Sequence, residues 1–457
     1  MKTAHPLLYS LGTKNERMFY MNAFDKIIGY NSIKNELRQI SDTLKSRDSY
    51  DRLGIKAPRG LLLYGAPGVG KSLMSSAVIE ESGRKVFVCR KDKPNGDFVK
   101  EIKATFDKAI ENAPSIVYLD DMDKFANSDE RHRNTDEYVT VQSCIDEAKD
   151  KEIFVLATVN DLYCLPNSLR RAGRFDRVIK VEAPHGKDAE QIIAHYLKSK
   201  KISGEIDPIT IAHIMDGRSC AELETVINEA GLYAGYERAE YITMEHFMKA
   251  CLRTVFDIEF KNKEENDEFF NTDLSDHNSA YSQTVCHEAG HAVVSEVLCP
   301  GSVTLICALK NRRNGKNGFT AYYYNDSSQS SLYWDKSRVI SSLGGMAAVE
   351  QKFGIQDCGS SCDLSNAFDY VKNMVVDNGL CGFQFYSRYG ASSELQYRQE
   401  QAVATEVEKY YRKVKEIISL NEEFFEKVAS ALSQKGLLSA CDLQQIKSEC
   451  TIIPVSI

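Results

Sequence analysis

The sequence predicts an α/β module, a parallel sheet with helices on both faces, then a short helical segment and a mainly α-helical domain with one small β-hairpin. Three observations predict it. An apolar strand runs into a glycine-rich turn and a helix in "RGLLLYGAPGVGKSLMSSAVIEE". Two more apolar runs, "SIVYLDDMD" and "IFVLATVND", end in polar residues, as strands of a parallel sheet do at their ligand-facing edge. Beyond residue 185, apolar residues recur at helical spacing, broken by "VTLICAL" and "FTAYYYN", two strand-like runs joined by "KNRRNGKNG".

A chain of 457 residues exceeds one ordinary domain, and the polar stretch "IEFKNKEENDEFFNTDLSDHN" places a boundary near Lys263. Four segments are expected: an N-terminal stretch 1–22, the α/β module 23–184, the helical segment 185–262 and the last domain 263–457. With 43% hydrophobic and 27% charged residues, the chain has the means to bury several cores. Its net charge of -8 argues against nucleic acid or an anionic membrane as partner, since both need an electropositive footprint. Thirteen cysteines without a CxxC pair suit free thiols in a reducing compartment, so the cytoplasm is expected. Neither "HPLLYSLGTKNERMFYM" nor any later run has the apolar length of a signal peptide or a span of about 18 residues, so no integral membrane segment is expected.

Gly65 to Ser72 fits G-x-x-x-x-G-K-[ST] between a strand and a helix. In that context the backbone of Gly65, Ala66, Pro67, Gly68, Val69 and Gly70 shapes a cradle whose N–H groups close around a polyphosphate, and the helix N-terminus adds positive charge. Lys71 is expected to reach the outer phosphates of ATP and Ser72 to ligate Mg2+. Asp120, at the end of "SIVYLDD", is placed to hold the magnesium through water, and Asp121 to orient or deprotonate the attacking water. Asn160 ends the next strand beside the γ-phosphate, and "LRRAGRFDR" supplies Arg174 and Arg177 as candidate arginine fingers.

A second chemistry follows in "CHEAGHAVV". His287 and His291 stand four residues apart, so on a helix both imidazoles face one side and can share one Zn2+. Glu288 is close enough to act as a base on water at that metal, whose charge lowers the water's pKa to roughly 7. Cys286 points about 100° away from His287 and makes a poor ligand. A catalytic zinc needs a third protein ligand, and Asp357, Asp363 and Asp369 are all available.

The order and spacing of "FDKIIGYNSIKNEL", "GAPGVGKS", "VYLDDMD", "ATVND" and "RAGRFDR" resemble the AAA+ ATPases, in particular the branch that includes FtsH. The resemblance implies an AAA+ fold with 185–262 as its helical lid, and nucleotide contacts at Ile28 and Gly29. It also implies fingers that reach a neighbouring subunit, hence a homo-hexamer. In the second half, "HEAGH", "SLGGMAAVEQKFG" and "GSSCDLSNA" resemble the FtsH pattern and align Asp363 with its ligand aspartate. Glu350, in the "GG" helix, is expected to steady the site from behind the ligands. The function implied is that of an ATP-dependent zinc endopeptidase acting on polypeptide substrates. The run "FTAYYYN" reads either as an edge strand near the zinc that an extended substrate joins or as part of a hairpin that simply covers the core.

Three departures stand out: the family's transmembrane segments are absent, Asp121 replaces the usual glutamate, and the pore motif is not evident, with Phe98 the nearest aromatic able to grip a chain. Asp121 and the pore region motivate an alternative, a zinc protease in which ATP is an assembly switch; a third reading, a non-proteolytic AAA+ remodeller with a structural metal site, has the intact His287, Glu288, His291 and Asp363 against it.

Overall fold

The computed structural model describes residues 22–91, 97–125, 136–171, 173–204, 206–258, 274–309, 318–324, 331–356, 359–388 and 390–457. The expected boundary near Lys263 and the acid Asp357 lie outside them. The division into two compact units falls between Glu182 and Ala183.

The first unit holds a five-stranded parallel sheet in the order β2-β3-β4-β1-β5, with β1 Gly60–Tyr64, β2 Lys85–Cys89, β3 Ser115–Leu119, β4 Ile153–Val159 and β5 Arg177–Lys180. Strands β3 and β4 are buried along their whole length, as parallel strands covered on both faces must be. Helices α1 Asn31–Lys45, α2 Lys71–Ser82, α3 Phe98–Glu111 and α4 Asp136–Glu147 belong to this unit. Register fixes what matters for chemistry: Tyr64 lies opposite Val159, and Leu119 opposite Ala157. Gly65, Asp120 and Asn160 therefore emerge side by side at the carboxyl edge of the sheet. Gly65 tolerates nothing larger, because a Cβ there would lie 2.0 Å from the Val181 carbonyl oxygen.

Phe98 is buried at the start of α3, its ring edge-on to Phe125 at 4.8 Å. It is a core residue of this unit and does not present itself to a polypeptide, which corrects the expectation placed on it. A large aromatic on the apolar face of an amphipathic helix gains more from burial than from water.

The second unit opens with helices α5 Lys187–Leu197, α6 Pro208–Ile214, α7 Cys220–Tyr236 and α8 Met244–Phe256. Around α9, Ala280–Leu298, gather α10 Leu332–Ser342, α11 Gly344–Phe353, α12 Ser361–Lys372, α13 Ser393–Leu420, α14 Glu422–Lys435 and α15 Ala440–Ser448. Helix α9 is buried on nearly every side, the signature of a central helix. It can meet α11 closely because Gly290 and Gly344 face each other: a Cβ on Gly290 would lie 2.5 Å from the Gly344 carbonyl oxygen.

The expected hairpin is present as β6 Val303–Cys307 and β7 Phe319–Tyr322, antiparallel. A third strand, β8 Leu437–Ser439, joins β6 from far along the chain, giving the order β7-β6-β8 with β7 at the edge. Phe256 at the end of α8 stacks on Phe319 at 4.0 Å, and His213 of α6 stacks on Tyr323 at 3.8 Å. Among the described residues, no helix is long and apolar enough to cross a membrane.

Candidate functional site

In the first unit, the helix that begins at Lys71 follows Gly70 directly, and the Lys71 side chain folds back over the turn. Its Nζ donates to the carbonyls of Gly65 (2.6 Å) and Ala66 (2.9 Å) and to Asn160 Oδ1 (2.9 Å). Burial lowers the Lys71 pKa, while Asp121, Asp123 and Asp120 pull it back up. Asn160 completes a relay, its Nδ2 donating to Asp123 Oδ2 at 2.8 Å and its backbone N–H to Asp123 Oδ1 at 3.2 Å. Asp123 was not singled out in the sequence, although it closes the same "VYLDDMD" run that carries Asp120.

Asp120 is buried, accepting from Tyr118 Oη (2.7 Å) and Thr158 Oγ1 (2.9 Å) and pairing with Arg90. Asp121 adopts a left-handed backbone (φ 52°), donates its N–H to Thr158 Oγ1 at 2.9 Å, and pairs its carboxylate with Lys124 at 2.7 Å. Arg174 is held within its own chain by both carboxylate oxygens of Asp146, at 3.2 and 2.8 Å. Arg177 opens β5 and is exposed. Ile28 is half-buried and Gly29 buried, next to the short turn Ala23–Lys26 that packs on α2.

In the second unit, His287, Glu288 and His291 lie on α9 and Asp363 in the first turn of α12. Their ligand atoms converge: His287 Nε2 and His291 Nε2 are 3.0 Å apart, and Asp363 Oδ2 lies 3.2 Å from the first and 3.4 Å from the second. Bonds of about 2.0–2.1 Å at tetrahedral angles place zinc ligand atoms about 3.3 Å from each other, so the trio fits the metal. His291 Nδ1 faces the Ser341 carbonyl at 2.7 Å, which fixes that nitrogen as the N–H and leaves Nε2 with its lone pair toward the centre. The His287 ring rests against Gly345, where a Cβ would strike it at 2.5 Å. Hence the "GG" of the sequence: one glycine lets two helices touch, the other makes room for a ligand.

Glu288 is buried beside the trio. Burial pushes its carboxyl up, while His287, His291 and the Thr320 hydroxyl pull against that rise. Thr320 Oγ1 on β7 donates to Glu288 Oε2 at 2.8 Å, with the Glu288 carbonyl oxygen 3.2 Å away. The other carboxylate oxygen is left for water. Thr320 escaped the sequence reading because its contact arises from the register of a hairpin against a helix 32 residues away. Cys286 is buried, and burial pushes its thiol up to about 12, which leaves it an inert core residue.

Glu350 does not reach the centre. It accepts from Tyr411 and pairs with Lys415 at 2.8 Å, both on α13. Five residues beyond Gly345 is about 500° of helical rotation, so the two positions face nearly opposite ways. The expectation that Glu350 steadies the ligands is therefore corrected: it ties α11 to α13.

The trio and Glu288 open into a cleft of about 660 Å³ whose walls include Thr320, Tyr322 and Tyr324 of the β7 segment, Arg338 and Ser341 of α10, and Tyr370 of α12. Zinc in this trio would supply a Lewis acid for a peptide carbonyl and acidify water beside Glu288. The protein's own share is to aim two imidazoles through Ser341 and Gly345 and to hold Glu288 buried and anchored on Thr320.

A P-loop parallel-sheet module and a helical His-His-Asp centre on one chain define an ATPase fused to a metallopeptidase. Residues 61–183 match the AAA model, "ATPase family associated with various cellular activities", and residues 277–446 match peptidase family M41. Most of the chain is similar to proteins named ATP-dependent zinc metalloprotease FtsH. It is 28% identical to "ATP-dependent zinc metalloprotease FtsH" of Caldicellulosiruptor bescii, over 93% of this chain and 72% of the relative. The protein of that name from Acaryochloris marina is 27% identical over 98% of this chain and 72% of its own length. For that of Syntrophotalea carbinolica the figures are 31%, 78% and 55%.

Proposed function

We propose that this chain is an ATP-dependent zinc endopeptidase that cleaves polypeptides at the His287, His291 and Asp363 centre with Glu288 as the base. The observation that carries the reading is the convergence of those three ligand atoms within 4.8 Å, with a buried carboxylate beside them, on a chain that also bears a P-loop. ATP and Mg2+ are assigned to the loop from Gly65 to Ser72 with Asp120, flanked by Ile28 and Gly29. Asn160 relays to Lys71, and Asp121 orients water. Residues 185–262 act as the lid of the ATPase, before a protease domain from 263 on.

Arg174 and Arg177 serve a neighbouring subunit in a homo-hexamer, and the cytoplasm is the proposed site of action. Of the two, Arg177 is exposed, whereas Arg174 must leave Asp146 to reach out. Degradation of a loosely folded protein such as casein, with and without ATP and magnesium and beside Glu288→Gln, tests the reading. Cleavage that requires ATP and vanishes in the variant is expected; a zinc-loaded, ATP-supplied protein that cuts nothing refutes it.

A second reading makes ATP an assembly switch with slow turnover. It is favoured by Asp121, a short carboxylate already engaged by Lys124. Brisk, substrate-stimulated ATP hydrolysis would rule it out.

A further inference from the structure

Where the cleft runs away from the metal ligands, its wall carries a cation. Arg338 stands one turn before Ser341 on α10, and Tyr370 two turns after Asp363 on α12, so both lie on the faces that carry the centre. The Arg338 guanidinium donates to Tyr370 Oη and sits over the Tyr370 ring, 4.6 Å from its centroid. Among the described residues no carboxylate pairs with it, and the residue is exposed. A solvated arginine samples many rotamers; this one is pinned by a hydrogen bond and a cation–π contact, with donors to spare. The surrounding wall is aromatic, with Tyr322 stacked on Tyr324 and Tyr324 edge-on to Trp334.

From this geometry we infer that Arg338 and Tyr370 form a carboxylate-binding subsite of the cleft, which selects substrate segments with an Asp or Glu side chain on one side of the scissile bond. The inference rests on the proposed peptidase reading. Three residues of α10 advance about 4.5 Å and seven of α12 about 10 Å. An extended peptide advances about 3.3 Å per residue, so the acidic side chain falls about one to three residues from the bond that is cut. A planar guanidinium takes a carboxylate through two parallel hydrogen bonds, which an amide of the same shape cannot reproduce.

The test uses the full chain carrying Glu288→Gln and loaded with zinc, titrated by fluorescence anisotropy with terminally blocked peptides that differ by Glu or Gln at one scanned position. The Glu peptide is expected to bind about tenfold tighter at one position, the worth of a charge-assisted hydrogen bond. A further Arg338→Gln change should bring that ratio near one, and Arg338→Glu should shift the preference to Lys. Equal binding at all positions, or a preference that survives both variants, overturns the subsite. So does a preference shown only by a Gln peptide with a free C-terminal carboxylate, which would assign the site to chain ends. The same peptides incubated with the Glu288 protein separate the two readings. Selective binding without cleavage keeps the subsite and removes the peptidase, and cleavage without selectivity does the reverse.

Discussion

At the scale of single residues, the centre depends on side chains that never touch a metal. Thr320→Val keeps the shape of residue 320 and removes the hydroxyl that anchors Glu288. A hydrogen bond to a charged group contributes about 1.5–3 kcal/mol, so kcat for peptide cleavage should fall at least about tenfold. Zinc content measured by atomic emission should stay the same, KM should change little, and Thr320→Ser should restore most of the rate. Asp363→Asn, by contrast, should lower bound zinc itself, as the same measurement shows, because a neutral amide is a poor third ligand. His287, His291 and Glu288 were legible in the sequence because their geometry is local: one helix turn contains all of it. Asp363 was one of three acids until the resemblance chose among them, since its approach is set by the packing of α12 on α10 and α13 and no short-range pattern encodes that.

Among the elements, close approach matters more than hydrogen bonding. Helices α9 and α11 meet through glycines, and Gly345→Ala would push a methyl into the His287 ring. Zinc affinity, read by competition with a chromophoric chelator, should drop by about ten- to a hundredfold, the scale seen when a ligand's supporting contacts are lost. Gly231→Ala in α7, where the nearest neighbour would be at an ordinary 3.6 Å, should leave it unchanged. The strands at the carboxyl edge of the parallel sheet were readable from apolar runs ending in polar residues. Phe98 and Glu350 were misread for one reason: composition places a residue on a helix, but only the packing partner decides which face turns inward. Strand β8 was missed because three residues between two helices carry no periodicity of their own.

For the molecule as a whole, two helices far apart in the second unit's sequence are tied through a charge taken out of water. Glu296 on α9 is fully buried, accepts from the backbone N–H groups of Gly301 and Val303, and is met by Gln444 and Lys447 of α15, the latter at 2.8 Å. Removing one partner of a buried pair costs about 3–5 kcal/mol, because the survivor stays buried and uncompensated. Glu296→Ala should therefore lower the thermal midpoint of the second unit, followed by the loss of helical circular dichroism. In the first unit, Lys71→Ala should abolish nucleotide binding in a fluorescent-ATP titration while zinc content holds at the native value.

Lys447 lies 151 residues after Glu296. While the chain is being synthesised, the helix that bears both histidines is thus made long before the cation that neutralises its buried acid, although the N–H groups of Gly301 and Val303 follow it at once. Only when α15 has been made can the Lys447 ammonium neutralise that charge from within the chain.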